Sequence, residues 1–144
     1  MTVRMASSEK VAALLRDAIA RLNRRLRQTR PLGDLTQSQL SALTSLDLAG
    51  ALTPRELADA ERVRPPTMTR IVSRLEERGL LQRIPHPTDG RQVILSATES
   101  GRSVLAANRR ARDAWLGSQI AALSDEERET LRRAAHIVDR ISRA

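Results

Sequence analysis

Between Thr53 and Ala97 the spacing of apolar residues changes period once, and that single switch restricts the folds open to the chain. Thr53-Pro54-Arg55-Glu56 is a helix start signal, with a Thr cap, Pro at the first helical position and Glu three residues on. The helix it opens is short and carries Leu57 and Ala58. After a turn near Glu61–Arg64, Pro65 and Pro66 open another, which runs through Met68, Ile71, Val72 and Leu75 and stops at Gly79. The period then changes. Leu80–Ile84 and Gln92–Ala97 are short β-compatible runs, and the Pro85-His86-Pro87-Thr88-Asp89-Gly90-Arg91 segment between them reads as a hairpin tip.

Helices are expected on both sides of this stretch. Val11, Leu14, Leu15, Ala18, Ile19, Leu22 and Leu26 recur at helical intervals after a loose tail at 1–7, and Pro31 and Gly33 end that helix. Thr36-Gln37-Ser38-Gln39 is a capping box that opens a helix with Leu40, Leu43 and Leu46, closed by Gly50. Thr98 to Gly117 reads as a long helix containing Trp115. Ser124-Asp125-Glu126-Glu127 caps a last one with Leu131, Ala134, Val138 and Ile141 on one face. The chain lacks Phe and Tyr and has a single Trp, so its core must be aliphatic, which suits helices. The predicted fold class is mainly α with a small β-hairpin wing: four helices, a hairpin, two helices.

The formal net charge of +8 is carried almost wholly by Arg, since Lys10 is the only lysine. Such a balance points to a polyanion, with DNA, RNA and an acidic membrane all open on this ground. The absence of Cys removes disulfides, thiolate metal sites and thiol switches. No run is long and apolar enough for a membrane span or signal peptide, and a cytoplasmic location is expected. An enzyme is not expected. The two histidines, His86 and His136, lie far apart in sequence, and no phosphate-binding Gly loop, nucleophile elbow or zinc-protease motif is present. No cofactor or metal is implied.

On the second helix of the central motif, Pro66, Thr69, Arg70 and Ser73 fall opposite the apolar side, with Arg74 beside them. An α-helix fits the major groove, and its first turns meet base edges. Arg70 is the leading choice for a base contact, while Arg64, Thr67, Thr69, Ser73 and Arg74 divide between bases and phosphates. Taken alone, such a face equally describes a solvated helix surface. In the hairpin tip, Asp89 can brace the Arg91 guanidinium for insertion into a narrow minor groove, flanked by His86 and Thr88. Taken alone, that pair equally describes a surface ion pair. Arg109, Arg110 and Arg112 are read as a solvated helix face.

The stretch resembles the MarR family (multiple antibiotic resistance regulators). The matching residues are Leu57-Ala58, Thr67-Met68-Thr69-Arg70, Leu75, Gly79-Leu80-Leu81, Arg83, Asp89-Gly90-Arg91 and Leu95 through Gly101. The resemblance implies a winged helix-turn-helix regulator of transcription that binds DNA as a homodimer. It implies a recognition helix over 65–78, a wing led by Arg91, and phosphate contact from Thr53, with which Ser38 is grouped. The expected domains are an N-terminal dimerisation helix at 8–30, the winged helix-turn-helix at 31–98 and C-terminal dimerisation helices at 99–144. The apolar stripes of the flanking helices support the dimer independently, because they find no cover within a small winged-helix core. Its interface is expected to include Leu14, Leu15, Leu22, Trp115, Leu131, Val138 and Ile141. The function expected is repression at a palindromic operator, relieved by a small aromatic or phenolic acid or other anion. The alternative is an architectural or nucleic-acid-binding winged-helix protein without an effector.

Overall fold

The computed structural model describes residues 2–29 and 35–144, with side chains from Ser7 onward. It forms two units, residues 31–109 and residues 1–30 with 110–144.

The central unit holds α2 (Gln37–Ala49), α3 (Pro54–Glu61), α4 (Pro65–Glu77), β1 (Leu81–Pro85), β2 (Val93–Ala97) and the start of α5 (Glu99–Ala121). Local chemistry sets most of these boundaries. Thr36 and Gln39 cap α2 reciprocally, and Thr53 and Glu56 do the same for α3. Helix α4 has no side-chain cap. It needs little capping, because Pro65 and Pro66 lack the N–H groups a cap would satisfy, and the Met68 N–H already reaches the Arg64 carbonyl at 3.1 Å. Gly79, at φ 69°, ends α4 in the left-handed region, and the Leu80 N–H folds back to the Leu75 carbonyl at 3.0 Å.

The strands pair antiparallel from Leu81↔Ala97 to Pro85↔Val93. Leu52, between α2 and α3, adds a β-bridge to Leu95 through bonds of 3.1 and 2.7 Å. The core is aliphatic, apart from Met68. Leu43 and Leu46 of α2, Leu57 of α3, Leu75 of α4 and Leu95 of β2 have no exposed surface, and Leu105 of α5 joins them. This packing extends the unit beyond residue 98, where the sequence placed its end: Gly101, Leu105 and Asn108 are all buried. Helix α5 starts at Glu99 rather than Thr98. The Thr98 hydroxyl accepts the Gly101 N–H at 3.1 Å and donates to the Gly79 carbonyl at 2.6 Å, closing the helix start onto the end of α4.

The other unit consists of α1 (Thr2–Gln28), the rest of α5 and α6 (Asp125–Ser142). The expected loose tail is helical from Thr2. With no Pro or Gly before Val11, each residue added to the helix gains a backbone hydrogen bond at little cost. Pro31 and Gly33, the expected terminators, lie outside the described residues. Ser124 and Glu127 form the third reciprocal cap. The Arg25 guanidinium lies 5.5 Å above the Trp115 ring, a cation–π contact over the lone aromatic. Arg112 departs from the solvated face expected of it. It is half-buried and its Nε has no partner, because it shares the side of α5 on which Trp115 packs three residues later. Among its described residues this unit buries none. Leu14 is 71% exposed and Ile141 59%, and Val11, Leu22 and Leu131 are also exposed.

Candidate nucleic-acid interface

Helix α4 has two chemically distinct sides. Met68, Ile71, Val72 and Leu75 are buried in the central core. Arg64, Pro66, Thr67, Thr69, Arg70 and Arg74 are exposed and Ser73 is half-buried, so the polar residues singled out from the sequence do share the outward side. Their hydrogen-bonding capacity differs. The Thr69 hydroxyl donates to the Pro65 carbonyl at 2.9 Å, which leaves it a methyl group and acceptor lone pairs to present outward. Arg74 stands 3.7 Å from Glu77. Arg70 has no carboxylate partner among the described residues and keeps its full fork of donors.

Side-chain contacts fix α3 against α2 and the hairpin against α4. Ser41 and Ser45 of α2 donate to the two oxygens of Glu61 at 2.7 and 2.5 Å, clamping the end of α3 just before Arg62 reverses the chain in the left-handed region at φ 54°. Arg83 on β1 pairs with Glu76 at the end of α4 at 2.7 Å. That pair is half-exposed and worth little as stability, but it ties the base of the hairpin to α4. Neither Glu61 nor Glu76 stood out in the sequence, because their partners lie 16 to 20 residues away in one case and 7 in the other.

In the wing, Arg91 and Thr88 are exposed and His86 and Asp89 half-buried. The Asp89 carboxylate does not brace the Arg91 guanidinium as expected. Its Oδ1 accepts the Arg91 backbone N–H at 3.1 Å, since a short Asp side chain two residues back reaches the main chain more readily than the far end of Arg. What Asp89 holds is the loop, and the guanidinium is left without an ion-pair partner among the described residues. His86 also faces inward: its Nδ1 lies 3.2 Å from the Thr88 N–H and 3.1 Å from the Asp89 N–H. The Pro85–Val93 pair and the bond from the His86 N–H to the Gln92 carbonyl, 3.1 Å, complete the turn.

Thr53, read as a phosphate contact, is half-buried, and its hydroxyl accepts the Glu56 N–H at 3.2 Å as the α3 cap. Ser38 is exposed in the first turn of α2. The Thr53 hydroxyl, then its backbone N–H, and least of all the charge of nearby His86 hold the Glu56 carboxyl below its ordinary value. A carboxyl lowered on folding stabilises above its unfolded value and loses that contribution as pH falls through the folded one. Glu56→Gln should therefore flatten the acid limb of a urea-midpoint against pH profile. An unchanged limb would mean the cap is not formed in solution.

A helix with a buried apolar side and an outward Arg/Thr side, followed by a short hairpin tipped with Arg, is the layout of a winged helix-turn-helix. Comparisons with known proteins agree. The model of the MarR family matches residues 35–93. An HTH-type transcriptional regulator of Mycobacterium bovis is 48% identical over 132 residues, which cover 92% of each chain. The crystal structure of a transcriptional regulator protein from Pseudomonas aeruginosa superimposes with a TM-score of 0.83 at 35% identity, covering 94% of this chain and 96% of that one. A mutant MepR from S. aureus, solved bound to an oligodeoxyribonucleotide, gives a TM-score of 0.68 at 25% identity over 91% of this chain and 95% of its own. The chain belongs to the MarR family, and is a winged helix-turn-helix, DNA-binding regulator of transcription.

Proposed function

We propose that the chain acts as a homodimeric repressor at a palindromic operator in the cytoplasm. Each copy would place α4 in a major groove and its wing in the flanking minor groove, with half-sites about 10–11 bp apart. The observation that carries this reading is that Arg70 on the outward side of α4 and Arg91 at the tip of the adjoining hairpin, in the same unit, both lack an ion-pair partner among the described residues. Thr53 and Ser38 would approach phosphates beside them. DNA held by the related MepR supports the choice of polyanion.

The dimer rests on the flanking helices. A set of helices that buries none of its described residues, with Leu14, Leu22, Leu131 and Ile141 exposed, needs a partner surface, and a second copy supplies an equally apolar one. Leu15, Trp115 and Val138 would complete that interface. Membership of the family supports release by a small aromatic or phenolic acid, and a thiol switch is unavailable without cysteine. Titration calorimetry with such acids should give heat and lower operator affinity.

Footprinting on genomic fragments at several salt concentrations tests the whole. A discrete palindromic site that survives competitor DNA is expected. Uniform protection that fades steeply with salt would instead identify an architectural binder without sequence preference.

A further inference from the structure

The wing loop, residues 86–92, is closed by a side chain that closes it in only one of its protonation states. Loops of this kind are usually fixed by Asp, Asn, Ser or Thr, whose oxygen accepts the N–H groups two and three residues on. Here the position is held by His86. Its Nδ1 faces the N–H of Thr88 at 3.2 Å and of Asp89 at 3.1 Å, with the Thr88 hydroxyl at 3.3 Å. Two main-chain donors converging on one ring nitrogen are satisfied only by a lone pair there, which the neutral ring with its proton on Nε2 provides. Imidazolium would set a third N–H against the other two. The loop so fixed carries Asp89, whose carboxylate in turn holds the backbone of Arg91.

We propose that His86 is the positioning residue of the wing: by accepting the Thr88 and Asp89 N–H groups at Nδ1, it sets the loop that presents Arg91 to DNA. The wing then keeps its binding shape with His86 neutral and loses it on protonation. Of the charged groups near the ring, Glu56 on α3 interacts with it electrostatically and Asp89 and Arg91 lie in the same loop; the adjoining strand ends, Pro85 and Val93, are uncharged. The inference rests on the reading that the wing enters DNA, and its test separates the two.

The wild-type chain, His86→Ala, His86→Asn and Arg91→Ala are titrated with a duplex carrying the footprinted site, at about pH 8 and about pH 5.5, across the window in which histidine changes charge. At the higher pH His86→Ala should bind about 5- to 30-fold more weakly, the worth of two ordinary hydrogen bonds. His86→Asn places an amide oxygen where Nδ1 stood and should restore most of that loss. On acidification the wild type should fall toward His86→Ala, while His86→Asn follows only the change common to all variants. Nitrogen NMR of the free protein should report an unprotonated Nδ1 at the higher pH. Failure of His86→Asn to rescue, or a wild type that binds more tightly in acid than His86→Asn, would overturn the proposal and make His86 a plain phosphate contact. Unchanged binding by Arg91→Ala would instead remove the wing from the DNA, even if NMR showed the neutral ring.

Discussion

Gly101→Ala is expected to destabilise the fold by about 2–3 kcal/mol, although alanine is ordinarily the better helix former by about 1 kcal/mol. A Cβ at this position would lie 2.1 Å from the Leu80 carbonyl oxygen, 3.1 Å from its carbon and 3.4 Å from Leu43 Cδ1. The first two are main-chain atoms, and the Leu80 carbonyl also accepts the Thr98 N–H at 3.1 Å. Relief would need α5 to move away from the turn that leads from α4 into the hairpin, with loss of the Thr98 contacts. The melting temperature should fall by roughly 6–12 °C at fixed protein concentration. Gly117→Ala is the control. It lies in the same helix, a Cβ there meets nothing within 4 Å, and the change should stabilise by about 0.5–1 kcal/mol. Effects of the same sign at both positions would rule out the close approach of α5 to Leu80.

The parts of this fold that were legible in the sequence are those fixed within a few residues. Three reciprocal caps, at Thr36, Thr53 and Ser124, formed as written, because donor and acceptor are three residues apart. Gly50 and Gly79 ended their helices with positive φ. Features decided by distant partners were not legible. Leu52 is one apolar residue between a helix end and a Thr cap, too short to read as a strand, and only Leu95 makes it one. Arg62 adopts a left-handed conformation that nothing in its side chain announces. The first turns of α5 joined the central unit because Gly101 lies against Leu80 and Leu43, and Leu105 is buried in the same core, which periodicity cannot foresee.

The candidate site divides along the same line. The outward side of α4 followed from helical geometry once its apolar side was fixed. Which groups on that side remain free did not follow, because it depends on where each hydroxyl and carboxylate goes. Asp89 is the clearest case. Two residues from Arg91, it could pair with the side chain or the main chain, and the backbone N–H, within easier reach of a short side chain, decided the matter.

Arg70 and Arg91 should fail in different ways. Arg70, on the outward side of α4 with no carboxylate partner among the described residues, would on the proposed reading donate in bidentate fashion to a guanine edge. Its replacement by Ala should cost about 1–3 kcal/mol at the operator, with preference lost at one position of each half-site and the other positions read as before. Arg91, exposed on a loop held through its own backbone N–H, would on the proposed reading meet a groove whose hydrogen-bonding pattern hardly distinguishes sequences. Arg91→Ala should therefore weaken operator and unrelated duplex alike and lower the slope of log affinity against log salt by about 1. Arg74, already 3.7 Å from Glu77, should matter less than either. Binding to a library of half-site variants at several salt concentrations separates the effects, since loss of a base contact changes the ranking of sequences and loss of a backbone contact changes only the slope. If Arg70→Ala left the ranking intact, the base-reading role would pass to Thr67, Thr69 and Ser73. If both variants bound as the wild type does, the interface would lie elsewhere on the central unit.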